Sequence, residues 1–173
     1  MDDTVETPNV MDRVFGADSP SLAGDEPSQA AEPAIEAQSD DKPVVADESK
    51  EAKWHYEIAR QLAPLRDEGI LIIGSGNIVH NLHTYSWGNR NLEAYDWAVR
   101  FEKTARSALS AGDFEPLVAY KTLGRDAMLS APTPDHYLPL LYVLAQRQND
   151  EPVTFPVEGF DGGSISMLSV RLG

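Results

Sequence analysis

Beyond residue 53, apolar and polar positions follow spacings that predict a succession of helices and strands. Apolar residues first recur at intervals of three and four, which is typical of one face of an amphipathic helix. These residues are Trp54, Ile58, Leu62 and Leu65. Gly69 can end this helix as its C-terminal cap. The uninterrupted apolar run 70–73 follows at once and predicts a short strand covered on both faces, as in a parallel sheet.

The middle of the chain predicts mostly helix. A glycine-rich turn, 74–77, follows the predicted strand, and a polar stretch then leads to a long helix over 92–111 that Gly112 closes. The buried face of this long helix is predicted to consist of Ala94, Ala98, Phe101, Ala105 and Leu109. Apolar residues between 114 and 123 predict one more short helix.

The C-terminal part predicts a further helix and two strands. Thr133 and Pro134 form a strong helix start, with Thr133 as the N-cap and Pro134 at the first helical position. The segment 138–145 is apolar nearly all round and is predicted to be buried, and Pro139 is tolerated in the first turn. Strands over 153–157 and 164–172 are predicted to close the fold, joined by the turn 158–163.

Together these elements predict the α/β class, with an incomplete parallel or mixed sheet and flanking helices. An apolar strand such as 70–73 usually has neighbours on both sides, and the predicted sheet is unusually thin. Residues 1–53 contain nothing that would supply such neighbours. The sequence therefore predicts part of a larger α/β layer, with an open sheet edge through which the chain self-associates or binds a partner subunit.

Composition separates the first part of the chain from the rest. Residues 1–53 contain 14 of the 28 acidic residues and carry a net charge of -10, whereas the other 120 residues carry -4. This segment also has little apolar surface to bury, which does not offset the entropic cost of ordering the chain, about 1–2 kcal/mol per residue. We therefore predict a disordered acidic tail over 1–51 and a folded domain over 52–173. The tail is either an interaction arm or a solubilising leader without a partner.

Charge and cysteine content exclude several classes of function. The net charge of -14 argues against a nucleic-acid-binding protein, because phosphate binding needs clustered Lys and Arg. The absence of cysteine excludes a disulfide scaffold, a thiolate metal site and a cysteine nucleophile. The polar residues after Met1 lack the basic and then apolar pattern of a signal peptide, so none is expected, and no apolar stretch reaches about 20 residues. We therefore expect a soluble, cytoplasmic protein that does not contact a membrane.

Two histidine-bearing loops are the candidates for chemistry. His80 follows the predicted strand at its carboxyl end, where open α/β sheets bind ligands. It is either a general acid or base, or a structural histidine that is hydrogen-bonded to a loop carbonyl. His136 lies next to Asp135 in the predicted helix start. It is either a metal ligand whose tautomer the carboxylate fixes, or a cap or surface residue.

Four segments of the chain resemble the carboxyl-terminal half of the class III extradiol ring-cleavage dioxygenases. Within that family, they resemble the DOPA 4,5-dioxygenase-like branch most. Two of the segments are unusual strings, Gly-Ser-Gly-Asn-Ile-Val-His-Asn-Leu at 74–82 and Thr-Pro-Asp-His-Tyr-Leu-Pro-Leu-Leu-Tyr at 133–142. The other two are 54–70 and 164–170. The four segments keep the order of the family motifs from residue 54 to the end of the chain.

The resemblance implies an α/β enzyme that opens catechol-type rings, such as that of DOPA, with dioxygen and a non-haem metal, Fe(II) or Zn(II). It also implies a role for three residues of this chain. His136 corresponds to a metal ligand, His80 to the active-site acid/base near substrate and oxygen, and Asn77 to a residue that shapes the same loop.

The chain departs from the family in its amino-terminal part. The other two metal-ligand histidines of the family belong to that half, and residues 1–53 contain no histidine. Because a facial metal site needs three protein ligands, we predict that the isolated chain binds metal weakly and is inactive alone. The alternative is a non-catalytic interaction protein, or a gene fragment, derived from the same family.

Overall fold

The computed structural model describes residues 47–173. Within that range the chain forms six α-helices, two 3-10 turns and four two-residue strands. The helices are α1 (Ala52–Ala59), α2 (Pro64–Asp67), α3 (Asp96–Ala111), α4 (Glu115–Val118), α5 (Arg125–Ser130) and α6 (Leu138–Leu144). The 3-10 turns are Arg60–Leu62 and Tyr120–Leu123. The strands are β1 (Val153–Thr154), β2 (Phe160–Asp161), β3 (Ile165–Ser166) and β4 (Arg171–Leu172).

The first predicted helix is present, but it is divided and buries a different face. A 3-10 turn separates α1 from α2. Trp54 and Ile58 are 41% and 36% exposed, whereas Leu62 and Leu65 are half-buried, so only the second half of the predicted apolar stripe packs inward. The buried residues of α1 are Ala52, His55 and Ala59. The small alanine side chains let α1 pack against α6, where Gln146 Nε2 donates to the carbonyl oxygen of Ala59 at 2.7 Å.

The apolar run 70–73 pairs with no strand within residues 47–173, so the prediction of a strand covered on both faces is wrong. Gly69 ends the preceding helix at a φ of 81°, as expected for a left-handed cap. The chain then continues without regular structure, and Leu71 and Ile73 are each 79% exposed. Such a run is buried only by neighbouring strands, and the described residues place none beside it.

The long helix α3 confirms most of its prediction. It begins at Asp96 rather than at residue 92, and Gly112 closes it at a φ of 68°. Four of the five predicted core residues are buried, namely Ala98, Phe101, Ala105 and Leu109. Ala94 precedes the helix and is half-buried. The single short helix predicted over 114–123 is instead α4 and a 3-10 turn, and α5 follows it.

Helix α6 begins later than predicted, and Thr133 is not its N-cap. The N-cap residue is Tyr137, which makes no side-chain capping bond. The N–H groups of Tyr137 and Leu138 both donate to the carbonyl oxygen of Pro134, at 2.9 and 2.8 Å, so the segment from Pro134 forms a turn. Tyr137 is fully buried and its hydroxyl donates to the backbone of α4 at 2.9 Å, which holds this turn in place. Pro139 lies in the first turn of α6, as predicted.

Both strand pairs in the described part of the chain are antiparallel. β1 pairs with β4, and β2 pairs with β3. The predicted strands 153–157 and 164–172 are present only in part. Gly162 and Gly163, both at positive φ, turn the chain between β2 and β3. The combination of helices and strands confirms the α/β class in outline, whereas the predicted parallel or mixed sheet is not confirmed.

The core forms where α3 and α6 pack with the segment between them. Its largest fully buried apolar and aromatic side chains are Tyr120, Tyr137, Phe101, Leu109, Leu117, Leu138, Leu141 and Leu144. The rings of Tyr120 and Tyr137 lie 4.2 Å apart at its centre. Between residues 47 and 173, no helix combines the length and the apolar character needed to cross a bilayer.

The predicted acidic tail lies largely outside the described residues, which begin at Asp47. Its disorder and its boundary at residue 51 therefore stay predictions. The short described part leads directly into α1. The carbonyl oxygen of Asp47 lies 3.0 Å from His55 Nε2, and Ser49 Oγ donates to the Asp47 carboxylate at 2.6 Å.

Candidate functional site

Two loops that are distant in sequence bring His80 and His136 into contact. His80 lies in the loop that follows the run 70–73, and His136 lies in the turn before α6. Their imidazole rings are stacked, with centroids 3.7 Å apart and planes inclined by 22°. The structure thus brings together the two histidines that the sequence analysis singles out.

The first loop approaches the second closely because it carries glycine at two positions. A Cβ atom on Gly76 would overlap with the carbonyl oxygen of His136, and one on Gly74 would lie 2.5 Å from the carbonyl oxygen of Pro139. Neither glycine has a positive φ, so space and not backbone conformation requires glycine here. The small residues in the string Gly-Ser-Gly-Asn are therefore a packing requirement of the histidine pair.

Asn77 connects both loops to strand β3. Its N–H donates to the carbonyl oxygen of His136 at 2.8 Å. Its side-chain Nδ2 donates to the carbonyl oxygen of Ser166 at 2.9 Å. Asn77 therefore uses its amide group to hold the loop rather than to face an open site, which is consistent with a loop-shaping role.

The backbone of His80 is fixed from two sides. Its N–H donates to the carbonyl oxygen of Ser130 at 2.7 Å, and it forms an isolated antiparallel bridge with Ile165 of β3. The imidazole is half-buried. Burial, together with the neighbouring His136, lowers the pKa of His80 below its usual value of 6.5. The ring is therefore neutral at neutral pH and able to accept a proton.

The imidazole of His136 is partly exposed and lies beside a carboxylate. Its side chain is 44% exposed, and its Nε2 lies 3.4 Å from Asp135 Oδ2. The other carboxylate oxygen of Asp135 is buried and has no hydrogen-bond partner among residues 47–173. A carboxylate next to an imidazole commonly orients that imidazole for metal binding. The metal-ligand role of His136 stays a prediction.

The described residues do not by themselves fit Fe(II) or Zn(II). Residues 47–173 contain no group of three His, Cys, Asp or Glu side chains that could hold one metal ion. His136 is the one residue of this range that the family resemblance assigns as a ligand, and facial non-haem iron sites use three protein ligands. Any complete site therefore needs donors from outside this range.

Comparison with known proteins places this geometry in context. No family model matches the chain. The protein named 4,5-DOPA dioxygenase extradiol from Escherichia coli K12 is 50% identical over 130 residues, which are 73% of this chain and 47% of that protein. Proteins of the same name from Beta vulgaris and Portulaca grandiflora are 31% and 30% identical, over 68% and 70% of this chain and 43% and 44% of their own lengths.

Over its C-terminal part, the chain is a homologue of the extradiol DOPA dioxygenases. The resemblance carried by the sequence motifs is thereby confirmed. A crystal structure of an uncharacterized protein from Escherichia coli K12 matches with a TM-score of 0.67 and 48% identity, over 73% of this chain and 52% of that one. The chain spans about half the length of the curated relatives that it matches.

Sequence reasoning missed a buried carboxylate in this homologue of the extradiol DOPA dioxygenases. Glu102 of α3 accepts a hydrogen bond from Ser166 Oγ at 2.5 Å. Ser166 Oγ in turn accepts from the N–H of Leu168 at 3.1 Å. Because the carbonyl of Ser166 also accepts the side chain of Asn77, Glu102 supports the histidine loop through one intermediate residue. The available signal was its position, one turn after Ala98 on the apolar face of the helix.

Asn81 is a second positioning residue that the sequence analysis did not single out. It is 4% exposed, and its Nδ2 donates to the carbonyl oxygen of Leu129 at 2.7 Å. Its own carbonyl accepts from Ser164 Oγ at 2.8 Å. Asn81 directly follows His80, and its hydrogen bonds thus hold this part of the loop against α5 and the β2–β3 turn. The signal in the sequence was its place in the string Asn-Ile-Val-His-Asn, which is part of the segment 74–82 that resembles the extradiol dioxygenases.

Proposed function

We propose that this chain supplies one half of an extradiol ring-cleavage site, which opens a catechol-type aromatic ring with dioxygen. The stacked pair of His80 and His136 carries the proposal, because it occurs in a homologue of proteins named 4,5-DOPA dioxygenase extradiol. A DOPA-type catechol is therefore the substrate class that we assign to the completed site.

In this proposal His80 is the acid/base group. A catechol hydroxyl loses its proton during ring cleavage, and imidazole is the side chain best suited to accept a proton near neutral pH. The ring of His80 lies 3.7 Å from that of His136, so a substrate bound next to His136 is within its reach. Asn77 holds the loop that carries His80 and does not itself exchange a proton.

We assign His136 as the one ligand for Fe(II) or Zn(II) that residues 47–173 contribute. The remaining ligands come from outside residues 47–173, since that range contains no three-donor group. We therefore propose that residues 47–173 do not turn over substrate by themselves and that a second polypeptide completes the site.

A non-catalytic interaction protein is the second candidate. The exposed apolar run 70–73 favours it, because surface of this kind is usually covered by a partner. In that case the chain binds a partner polypeptide through this run and turns over no catechol.

Activity of the reconstituted site tests the proposal. The full chain is incubated with Fe(II), DOPA and dioxygen, with and without the half of the Escherichia coli relative that the match does not cover. The yellow ring-opened product is followed by absorbance. We expect no product from the chain alone and product from the mixture, with the rate lowered about 10²–10⁴-fold by His80→Ala.

His83→Ala is the matched control, because His83 is an exposed histidine three residues further along the same loop. It should leave the rate unchanged. Turnover by the chain alone would show that the site is complete within it. Turnover that survives His80→Ala would remove the acid/base role, and a stable complex without turnover would favour the interaction protein.

A further inference from the structure

A groove of about 480 Å³ lies between two segments of the chain, and neither His80 nor His136 lines it. One wall is the segment 70–77, and the other is the segment 167–172. Leu140 and Val143 of α6 form part of its floor. Most of the residues that line the groove are therefore apolar.

The first wall offers backbone groups that make no backbone hydrogen bond. The N–H of Ile70 donates to the carbonyl oxygen of Leu65, and the N–H of Asn77 donates to that of His136. Between these two, the backbone groups of residues 71–76 form no backbone hydrogen bond with any part of the chain that the structure describes. Six consecutive residues without regular secondary structure thus have backbone donors and acceptors available for pairing, as the residues of a sheet edge do.

The second wall uses only one of its two edges. The N–H groups of Met167, Ser169 and Gly173 donate to the carbonyl oxygens of Gly159, Val157 and Pro152. In an antiparallel pair, alternate N–H groups point to opposite edges of a strand. The N–H groups of residues 170 and 172 therefore point away from the segment 152–159, and both residues line the groove.

The two walls run in opposite directions. At one end, the side chain of Asn77 bonds to the backbone of Ser166. At the other end, Arg66 lies beside Gly173, where an added Cβ would be 3.6 Å from Arg66 Nη2. A strand placed between the walls would thus be antiparallel to one and parallel to the other. Such an insertion produces a mixed sheet.

Charge around the groove restricts the occupant. The lining includes Arg66 and Arg171 and no acidic residue. Arg66 is already paired with Glu151 at 2.7 Å, whereas Arg171 makes no ion pair among residues 47–173. A strand with apolar residues along its length and a carboxylate near its Arg171 end satisfies both the walls and the charge.

We propose that this groove binds a β-strand of five or six residues from a second polypeptide, one that corresponds to the half of the DOPA dioxygenase relatives outside the match. The strand pairs with residues 71–76 on one side and with residues 170 and 172 on the other, the mode of recognition by strand addition. The inference rests on the proposed function only for the identity of that polypeptide.

Two other occupants fit less well. Residues 1–46 contain no more than two consecutive residues of the Val, Ile, Leu, Met or Phe type, whereas a strand buried on both faces needs a longer continuous run. A second copy of the chain offers the run 70–73, but that run is already a wall of its own groove and would have to leave it. A strand from a different polypeptide meets neither difficulty.

Hydrogen exchange on the full chain tests the proposal. The chain is mixed with the unmatched half of the Escherichia coli relative, the complex is isolated by size exclusion, and amide exchange is compared with that of the chain alone. We expect a 1:1 complex. In it, the amides of residues 71–76, 170 and 172 should exchange at least about tenfold more slowly than in the chain alone.

Two substitutions at the groove test the proposal, and one substitution elsewhere is the control. Ile73→Asp places a charge on the wall, and Ile73→Pro removes an N–H that has no backbone partner among residues 47–173. Because Ile73 is 79% exposed, we expect the free chain to keep its fold in both variants. Both should weaken the complex at least about tenfold. Val99→Asp, at a residue of α3 that is 46% exposed and does not line the groove, should leave it unchanged.

Three results would overturn the proposal: no complex, a complex in which these amides stay unprotected, or protection by self-association of the chain alone. The outcome is separate from that of the activity assay. A protected complex that opens no catechol ring contradicts the proposed function and leaves the strand site intact. Turnover in a complex whose groove amides stay unprotected supports the proposed function and contradicts the strand site.

Discussion

At the scale of single residues, the absence of a side chain at position 76 decides how closely the two histidine loops approach. The N–H of Asn77 reaches the carbonyl oxygen of His136 at 2.8 Å only because nothing projects from the preceding residue. Gly88, in the same loop region, has open space around the position of a Cβ and no positive φ. The two glycines therefore form a natural pair for comparison.

We expect Gly76→Ala to destabilise the protein by about 1–3 kcal/mol, because the new methyl group must displace the backbone of the His136 turn. Gly88→Ala should change the free energy of unfolding by less than about 0.5 kcal/mol. Urea unfolding followed by tryptophan fluorescence measures both. Equal effects of the two substitutions would show that the loops are not packed as described.

At the scale of elements, a buried carboxylate links helix α3 to strand β3 and through it to the histidine loop. Glu102 accepts from Ser166 Oγ at 2.5 Å, and Ser166 also bonds to Asn77. Arg106 Nη2 lies 3.7 Å from the same carboxylate and partly balances its charge. The position of the loop thus depends on a side chain that does not touch either histidine.

Ser166→Ala should destabilise the protein by about 1–3 kcal/mol, since it leaves the Glu102 carboxylate and the N–H of Leu168 without their partner. Ser107→Ala is the control on the same helix, where an exposed hydroxyl bonds to the backbone one turn earlier, and should cost less than about 0.5 kcal/mol. The test combines chemical denaturation with the NMR shifts of the His80 ring. A normal His80 signal in Ser166→Ala would contradict the positioning role.

The elements that sequence predicted well are those whose signals are local. The stripe of α3 and its closing residue Gly112 lie within one helix, and both are confirmed. The start of α6 was missed because burial of Tyr137 overrides the capping signal of Thr133. The run 70–73 predicts burial but not the location of the strands that provide it. Motif order likewise identified the two histidine loops, whereas Glu102 required knowledge of the packing around α3.

At the scale of the whole molecule, an ion pair joins helix α2 to the segment that follows α6. Arg66 of α2 donates two hydrogen bonds to the Glu151 carboxylate, at 2.8 and 2.7 Å, and a third to the carbonyl oxygen of Gln146. Both side chains are about three-quarters buried, at 25% and 22% exposure. This pair fixes the entry to the groove wall 70–77 against the segment after α6.

The pair makes part of the stability dependent on pH. The hydrogen bonds from Arg66 lower the pKa of Glu151 below its usual value of 4.5. A lowered folded-state pKa means that the contribution is present above the unfolded value and is lost as the pH falls through the folded one. Glu151→Gln should therefore destabilise by about 0.5–1.5 kcal/mol near neutral pH, and this difference should shrink towards about pH 3.

Urea unfolding at several pH values measures the difference between wild type and Glu151→Gln. The control is Glu57→Gln, whose carboxylate lies 3.8 Å from Lys53 in an exposed pair on α1. It should follow the wild-type curve within about 0.5 kcal/mol at every pH, because screening by solvent leaves exposed pairs little net effect. A Glu151→Gln difference that stays constant on acidification would mean that the side chain acts by packing and not by its charge.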